Sequence, residues 1–563
     1  MAAPVPLAGA GRVAGAATLI AVLTVASRLA GFGRTAVFTW VMGEHSDLGG
    51  MYVVANMVPN IIFEIVAGGA LASLVVPLLA GAVAAGDRAA VSATTGALLT
   101  WTVTLLVPLA VLVALFAEPI VALLSEGRSP PEIAAGARML RVFAPQLPLY
   151  GVGIVLTGVL QSHRRFAWPV LAPLLSSVTV IGVYLAFAVT EGVRVSIAQV
   201  GRGGELILSA GTTLGVVVLS LSLLIPLRRL RLRLRPAYTF SDDVRSKVGG
   251  LAVAGAVTVT AQQIALLVVL NRVSGGPTGA PVVFNLAQAL YLLPWAVLAV
   301  PLAVAAYPTL AAAHTVGDEA GYRRTLAPTT RAVLLFSCLG AAALMATAGP
   351  VARFFWQNAA PESVAAIVGF GPGLLGYGLF AVLTRALYAR GGTRSAAVVT
   401  AAGWLVVPVA AVVLAAAFPT EYRVFSVTLA NSIGMLVLGA LLVVAVVRHA
   451  GRAALAGLPR SAVVGALAGG VAAVAGAAVA HQLYRLSGGD PSRWETLLHG
   501  LVSGAVVAGV FLAVAYPLDR RDVRPMMRAL WGRILGITGQ RGLQRHDLPR
   551  PDGPGDEKER LTR

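Results

Sequence analysis

From about residue 14 to about residue 517 the chain is a train of apolar runs, each roughly 20 residues or longer, parted by short polar loops. A run of that length in hydrocarbon must pair every backbone N–H and C=O within itself, and a helix does this. Fourteen runs can be drawn, at 14–43, 50–83, 89–122, 138–162, 167–190, 206–228, 248–272, 281–313, 330–356, 363–388, 395–418, 423–448, 460–484 and 495–517. The chain is 57% hydrophobic and 12% charged, whereas soluble domains are about 25% charged. The expected fold class is an all-α polytopic membrane protein. Pro59, Pro77, Pro145, Pro148 and Pro294 fall inside runs, so breaks are expected there, with the freed carbonyls paired to neighbours or water.

Lysine and arginine in short loops set orientation. The loops "SHRRF", "RRLRLRLRPAYTFSDDVRSK", "GYRRTLAPTTR", "ARGGTR" and "RHAGRAALAGLPR" alternate with "GEHSDLGG", "SGGPTGAP", "QNAAPES" and "FPTEY". The first set is the richer in basic residues and is assigned to the cytoplasm, which places both termini there. The net charge of +19 sits in these loops and in the C-terminal tail. It suits an anionic leaflet rather than nucleic acid. Nearly all of it is arginine, Lys247 and Lys558 being the exceptions. The first fifteen residues carry one Arg and no small-residue cleavage site after a short apolar core, so no removable signal peptide is expected.

Enzyme chemistry finds no foothold. The single cysteine, Cys338, lies in an apolar run, and the seven histidines show no metal spacing. No Walker motif is present, and neither a metal nor a cofactor is expected.

A faint repeat is visible. "GVLQSHRRFAWP" joins runs four and five, and "RALYARGGTRSA" joins runs ten and eleven, six helices later. A six-plus-six repeat is a common transporter plan. The division expected is a first lobe at 1–228, a basic linker at 229–247, a second lobe at 248–448, two further helices at 449–517 and a tail at 518–563.

"SRLAGFGRT", followed by "NMVPNIIFEIVAGGALASLVVPLLA", resembles the MurJ/MviN family of lipid II flippases. "LRVFAPQLPLYGVGIVLTGVLQSHRRFAWPVLAPLL", "YLLPWAVLAVPLAVAAYPTLA" and "RALYARGGTRSA" are similar to that family's fourth and fifth, eighth, and tenth to eleventh helices. The resemblance implies a multidrug/oligosaccharidyl-lipid/polysaccharide exporter fold, with two six-helix lobes around a central cavity and two added helices. It implies the transfer of a lipid-linked peptidoglycan precursor to the outer leaflet of a bacterial cell membrane. The partners implied are that sugar diphosphate, membrane lipids and cell-wall synthesis proteins. Where relatives often carry charges, this chain has Thr35, Gly50, Ile61, Gln288 and Ala289, so a less positive cavity is expected. Two other readings stand beside the first: a flippase or exporter for a different polyprenyl-linked sugar or drug, and a transport-inactive scaffold.

The candidate residues are those whose burial in lipid costs most. Arg28 and Arg34 are six apart, about 120° off one face of a straight helix, and Gly31 and Gly33 would permit a bend joining them on one cavity. Guanidinium forks suit a diphosphate, and the alternative is that one arginine snorkels to the interface. Glu64 is read either as the ion-pair partner of these arginines or as a titratable switch. The switch would work through a flexible stretch from Pro59 to Ala67-Gly68-Gly69-Ala70. Asn56, Asn60, Gln262, Gln288 and Arg385 complete the substrate-binding candidates, each with a plain role as interhelical glue beside it.

Overall fold

The computed structural model describes the backbone of residues 10–65, 72–239 and 242–524, and side chains from Val22 onward except those of 66–74, 77 and 240–257. The described residues are helical nearly throughout. In chain order the helical segments are α1 (Ala10–Met42), α2 (two described stretches, Asp47–Phe63 and Ala72–Ala84), α3 (Arg88–Leu115), α4 (Pro130–Ser162), α5 (Ala167–Thr190), α6 (Arg202–Arg228) and α7 (Asp242–Ser274). They continue as α8 (Ala280–Thr315), α9 (Glu319–Phe355), α10 (Pro361–Ala389), α11 (Thr393–Ala417), α12 (Thr420–Ala450), α13 (Arg452–Leu486) and α14 (Arg493–Leu518). Eleven of these, α3 to α6 and α8 to α14, are long and apolar enough to cross a membrane. The other three include residues outside the described set, so fourteen crossings remains the reading from sequence.

The buried apolar residues fall into two bodies. One centres on α7 to α14, with Phe284, Phe336, Phe370, Leu383 and Met435 among its largest members. The other centres on α1 to α6, with Leu270 of α7 and Val282 of α8 joining it, and is itself parted into a cluster around Phe38, Tyr52 and Phe143 and a second around Val75, Leu98 and Val159. Of the five expected proline breaks two appear, whereas Pro59, Pro77 and Pro148 sit within continuous helix. Pro145 marks a turn within α4, and Pro294 leads into a π-helical turn at Trp295–Ala299 inside α8. Such turns widen a helix locally and cluster at functional sites.

The loops alternate between two faces of the bundle. On the face that carries the basic loops, one turn recurs. After α2, Gly86 takes φ 69°, the Asp87 N–H donates back to the Ala82 carbonyl at 3.0 Å, and Asp87 Oδ1 caps α3 by accepting from the Ala90 N–H. After α8, six helices on, Gly317, Asp318, Ala313 and Gly321 repeat the arrangement, with φ 72° and a 2.8 Å back-bond. The turn between α4 and α5 has Arg164 in the left-handed region and the one between α10 and α11 has Gly391 there. The Arg165 N–H reaches the Leu160 carbonyl and the Gly392 N–H reaches the Leu387 carbonyl. This is the glycine-type helix stop that satisfies orphaned carbonyls.

The tail begins in place. Arg331 on α9 forms an ion pair with Asp522 at 2.6 Å, and the Ser461 hydroxyl lies within hydrogen-bonding reach of Asp519 and Asp522. The remainder of the tail lies outside the described residues.

Candidate functional site: a cationic cavity closed on one side

Arg28 and Arg34 line one cavity of about 550 Å³, together with Thr24, Ser27, Gly31, Ser176, Ser177 and residues of α8. Among the described residues no carboxylate stands on its wall. Among the described residues neither arginine has an ion-pair partner. The expected bend is not how they meet. Helix α1 runs unbroken from Ala10 to Met42, and the long side chains converge across it. Gly31 contributes space instead: a Cβ there would meet nothing within 4 Å, so the cavity floor stays open between the two guanidiniums.

The cavity lies in the half of the bundle nearest the basic face. Its wall uses the first turns of α5 (Val170, Pro173, Ser177) and the end of α6 (Leu219), both adjoining basic loops. Beyond Arg34, toward the other face, a smaller space of about 70 Å³ is lined by Arg34, Thr35, Asn56, Asn285, Tyr52, Tyr184 and Thr212. Aromatic rings stop it there. Tyr52 packs on Phe38 with centroids 4.9 Å apart and meets Phe143 edge-on at 5.6 Å. Its hydroxyl is 2.7 Å from both the Tyr184 and Thr212 hydroxyls.

Past this plug the two halves are tied together by polar contacts. Glu44, in the loop after α1, is buried and accepts hydrogen bonds from the Ser363 hydroxyl and, at 3.2 Å, from the Ala360 N–H at the start of α10. Arg128 donates to the carbonyls of Ser274, Gly276 and Pro277, each at 3.0 Å. Arg272 pairs with Glu126 at 3.0 Å, and the Asn271 amide donates to the Leu123 carbonyl at 2.8 Å. Gly279, at φ 85°, sits so close to the Glu44 carbonyl that a side chain there would collide with it. All of these contacts between the α1–α6 half and the α7–α14 half lie on this face. Pro277, Thr278, Glu362 and Glu421 join Glu44 and His45 around a further space of about 210 Å³ at the same seam.

The remaining candidates separate. Asn56 stands with Arg34 on the small space, while Asn60 turns its amide back to the Asn56 carbonyl at 2.8 Å. Gln262 and Gln288 do come together, but in a different pocket of about 120 Å³ in the second half, with Tyr291, Tyr377, Trp404 and Asn431. The reason is the helix period. On α8, Ala289, Leu293 and Ala296 share the face toward the arginines, whereas Phe284, Gln288 and Tyr291 share another. The polar residue that α8 sends to the arginine column is Asn285. Arg385 is absent from the cavity wall and donates to the Ala381 carbonyl at 2.6 Å on its own helix.

Glu64 corrects one expectation. It is exposed, has no ion-pair partner among the described residues, and is not on the cavity wall. It therefore neutralises neither arginine. It opens a π-helical turn with Ile65 at the end of the first stretch of α2. The run Ala67-Gly68-Gly69-Ala70 lies outside the described residues.

Sequence reasoning passed over Glu44, Ser363 and Arg128 because each sits in or beside a loop that reads as solvated. It passed over Tyr52, Tyr184 and Thr212 because they look like ordinary apolar-run residues. Ser176-Ser177, a polar pair inside a run, was the one local signal available.

Comparison with known proteins places the fold and the family. The family described as lipid II flippase MurJ matches residues 41–487, well over half of the chain. The lipid II flippase MurJ of Burkholderia cenocepacia is 25% identical over 382 residues, covering 65% of this chain and 71% of that protein. A probable lipid II flippase MurJ of Synechocystis sp. is 26% identical over 233 residues, 38% of this chain and 41% of its own length. Among solved structures, a lipid II flippase MurJ in an inward closed conformation superposes with a TM-score of 0.68 at 19% identity, over 90% of this chain and all of that one. An inward-facing multidrug resistance MATE transporter of the MOP superfamily gives 0.60 at 15% identity, over 81% and 98%. With two lobes, a central cationic cavity and a match of this extent, the chain belongs to the MurJ family of lipid II flippases.

Proposed function

We propose that this protein carries the lipid-linked peptidoglycan precursor lipid II from the cytoplasmic to the outer leaflet of the bacterial cell membrane by alternating access. The observation that carries the reading is the pair Arg28 and Arg34, without an ion-pair partner among the described residues, on one cavity that lies toward one face while the other face is sealed. Two guanidiniums in a confined site, with no competing carboxylate among the described residues, favour a doubly charged, oxygen-rich group, which describes a diphosphate. The basic face is assigned to the cytoplasm by its arginines, with both termini there. The observed state is then open to the cytoplasmic side, where the substrate is made.

Within this reading Asn56 and Asn285 supply neutral hydrogen bonds beside Arg34. The Gln262–Gln288 pocket, bearing amides and aromatic rings and no charge, suits an uncharged part of the cargo. Asn60 and Arg385 serve helix geometry. Glu64 is assigned the role of a titratable switch, supported by its exposure within a membrane helix: a carboxylate there must meet water or take a proton. Transport needs no covalent step, and the partner class that fits is the cell-wall synthesis machinery.

Depletion of the protein in its host tests the proposal. Lipid II is expected to accumulate in the inner leaflet, and the wild-type chain is expected to rescue a flippase-depleted strain. Accumulation of a different lipid-linked saccharide would move the assignment to that cargo. Failure of correctly inserted protein to rescue would favour the scaffold reading.

A further inference from the structure

A second basic cavity, of about 260 Å³, lies on the same face as the arginine loops but outside the central column. Three separate chain segments build it: the turn after α2 (Gly86, Asp87, Arg88), the turn after α4 (His163, Arg165) and the stretch after α6 (Arg229 to Leu232). Arg88, Arg165 and Arg229 face it with one carboxylate, Asp87, whose Oδ1 is already engaged by the Ala90 N–H at 2.9 Å. Arg165 is held by a 3.2 Å bond to the Pro226 carbonyl. Among the described residues, Arg88 and Arg229 have no ion-pair partner and are exposed.

The depth of this cavity follows from the sequence. The apolar runs of α2, α4 and α6 end at Ala84, Leu160 and Leu227, so the cavity stands where hydrocarbon gives way to headgroups. It is also firmly built. After Arg229 the chain alternates, with Leu230, Leu232 and Leu234 packed on the Val75–Leu98–Val159 cluster and Arg231, Arg233 and Arg235 exposed. The strap is pinned to α3: Gly96 leaves room for the Arg235 carbonyl, the Trp101 indole donates to the Tyr238 carbonyl at 3.0 Å, and the Ala237 N–H reaches the Thr100 hydroxyl at 3.2 Å. Leucines that hold the strap down leave its arginines turned away from the protein.

We infer that the Arg88–Arg165–Arg229 cavity binds the headgroup phosphate of an acidic phospholipid of the inner leaflet, as a site apart from the transport cavity. A phosphate diester presents the acceptor oxygens that guanidinium groups recognise, and basic pockets at this depth collect such headgroups. The inference rests on the orientation proposed above and not on the identity of the transported cargo. Binding by purified protein and transport in cells can therefore fail separately.

The test uses the full chain in neutral detergent, with thermal unfolding followed as short-chain phosphatidylglycerol is titrated in. Short-chain phosphatidylcholine and inorganic phosphate serve as comparison ligands. Phosphatidylglycerol is expected to raise the melting temperature saturably, since a ligand bound to the folded state stabilises it. Arg88→Gln with Arg229→Gln, both at exposed positions, is expected to weaken this response by roughly tenfold or more. Arg448→Gln with Arg452→Gln removes the same charge from the same face elsewhere and is expected to change it little. An equal loss in both double variants would reduce the effect to bulk charge and overturn the site. Saturation by inorganic phosphate at the same concentrations would overturn the lipid assignment in favour of a free anion. Displacement of phosphatidylglycerol by a polyprenyl diphosphate at far lower concentration would overturn it in favour of the cargo.

Discussion

Glu44 and Ser363, 319 residues apart in the chain, meet through a hydrogen bond that joins the two halves of the bundle. The Ala360 N–H gives the same carboxylate a second donor. A buried carboxylate without a cation depends on such donors, and each charge-assisted bond contributes about 1.5–3 kcal/mol. The contact can exist only while this face is closed, so it biases the conformational equilibrium.

Ser363→Ala removes the hydroxyl and should favour opening of the sealed face. The probe is Ser27→Cys on the cavity wall, in a Cys338→Ala background, labelled with a membrane-impermeant thiol reagent from the outer side. A loss of 1–2 kcal/mol corresponds to a roughly 5- to 30-fold rise in the open population and in labelling. Unchanged labelling would mean that Arg128 and the aromatic plug hold the face shut without Glu44.

Arg28→Ala should abolish rescue of a flippase-depleted strain while the protein still reaches the membrane. Arg28→Lys keeps the charge but loses the planar fork and should rescue partially. Arg34→Ala should be at least as damaging, because Arg34 lines both the main cavity and the smaller space beyond it. Full rescue by Arg28→Ala would return that side chain to an interfacial role.

Glu64→Gln should leave thermal stability within about 0.5 kcal/mol, since an exposed carboxylate with no ion-pair partner has little to lose. If Glu64 is the switch, the same variant transports poorly and loses the pH dependence of Ser27→Cys labelling. Normal transport with an unchanged pH response would remove Glu64 from the mechanism.

Orientation can be read with two cysteines in the Cys338→Ala background. Ser274 is unsuitable because it is buried beneath Arg128, but Thr278 on the sealed face and Arg233 on the strap are exposed. Thr278→Cys should label only from outside and Arg233→Cys only from inside. Labelling of both from one side would break the assignment of faces.

Much of the scaffold was legible because hydrocarbon imposes a length and a composition on every crossing. The two arginines were legible for the same reason, since a costly residue needs a wet cavity. Gly86-Asp87 and Gly317-Asp318 were equally open to view and mark the repeat more clearly than the basic turns do. The Glu44–Ser363 contact was not legible, because nothing local distinguishes a loop carboxylate that faces water from one that faces another loop. That Gln288 and Asn285 line different pockets was not legible either, because each residue along a helix turns about 100° around it and small offsets decide which space a side chain meets. For Glu64 the sequence left an ion pair and a titratable switch both open, and only the placement of the side chain, without an ion-pair partner among the described residues, removes the first.

Among the described residues the cavity wall carries two guanidiniums and no carboxylate, which has an electrical consequence. Empty, the carrier holds about two positive charges within the membrane field; loaded with a diphosphate it is close to neutral. A voltage that is negative inside then acts weakly on the step that carries cargo outward and strongly on the empty return. Moving two charges across the full field is worth roughly 4.6 kcal/mol per 100 mV, and any fraction of that displacement drives the carrier back toward the cytoplasm. The resting potential would thus reset the empty carrier, leaving release of the precursor on the far side as the step that lets the voltage act.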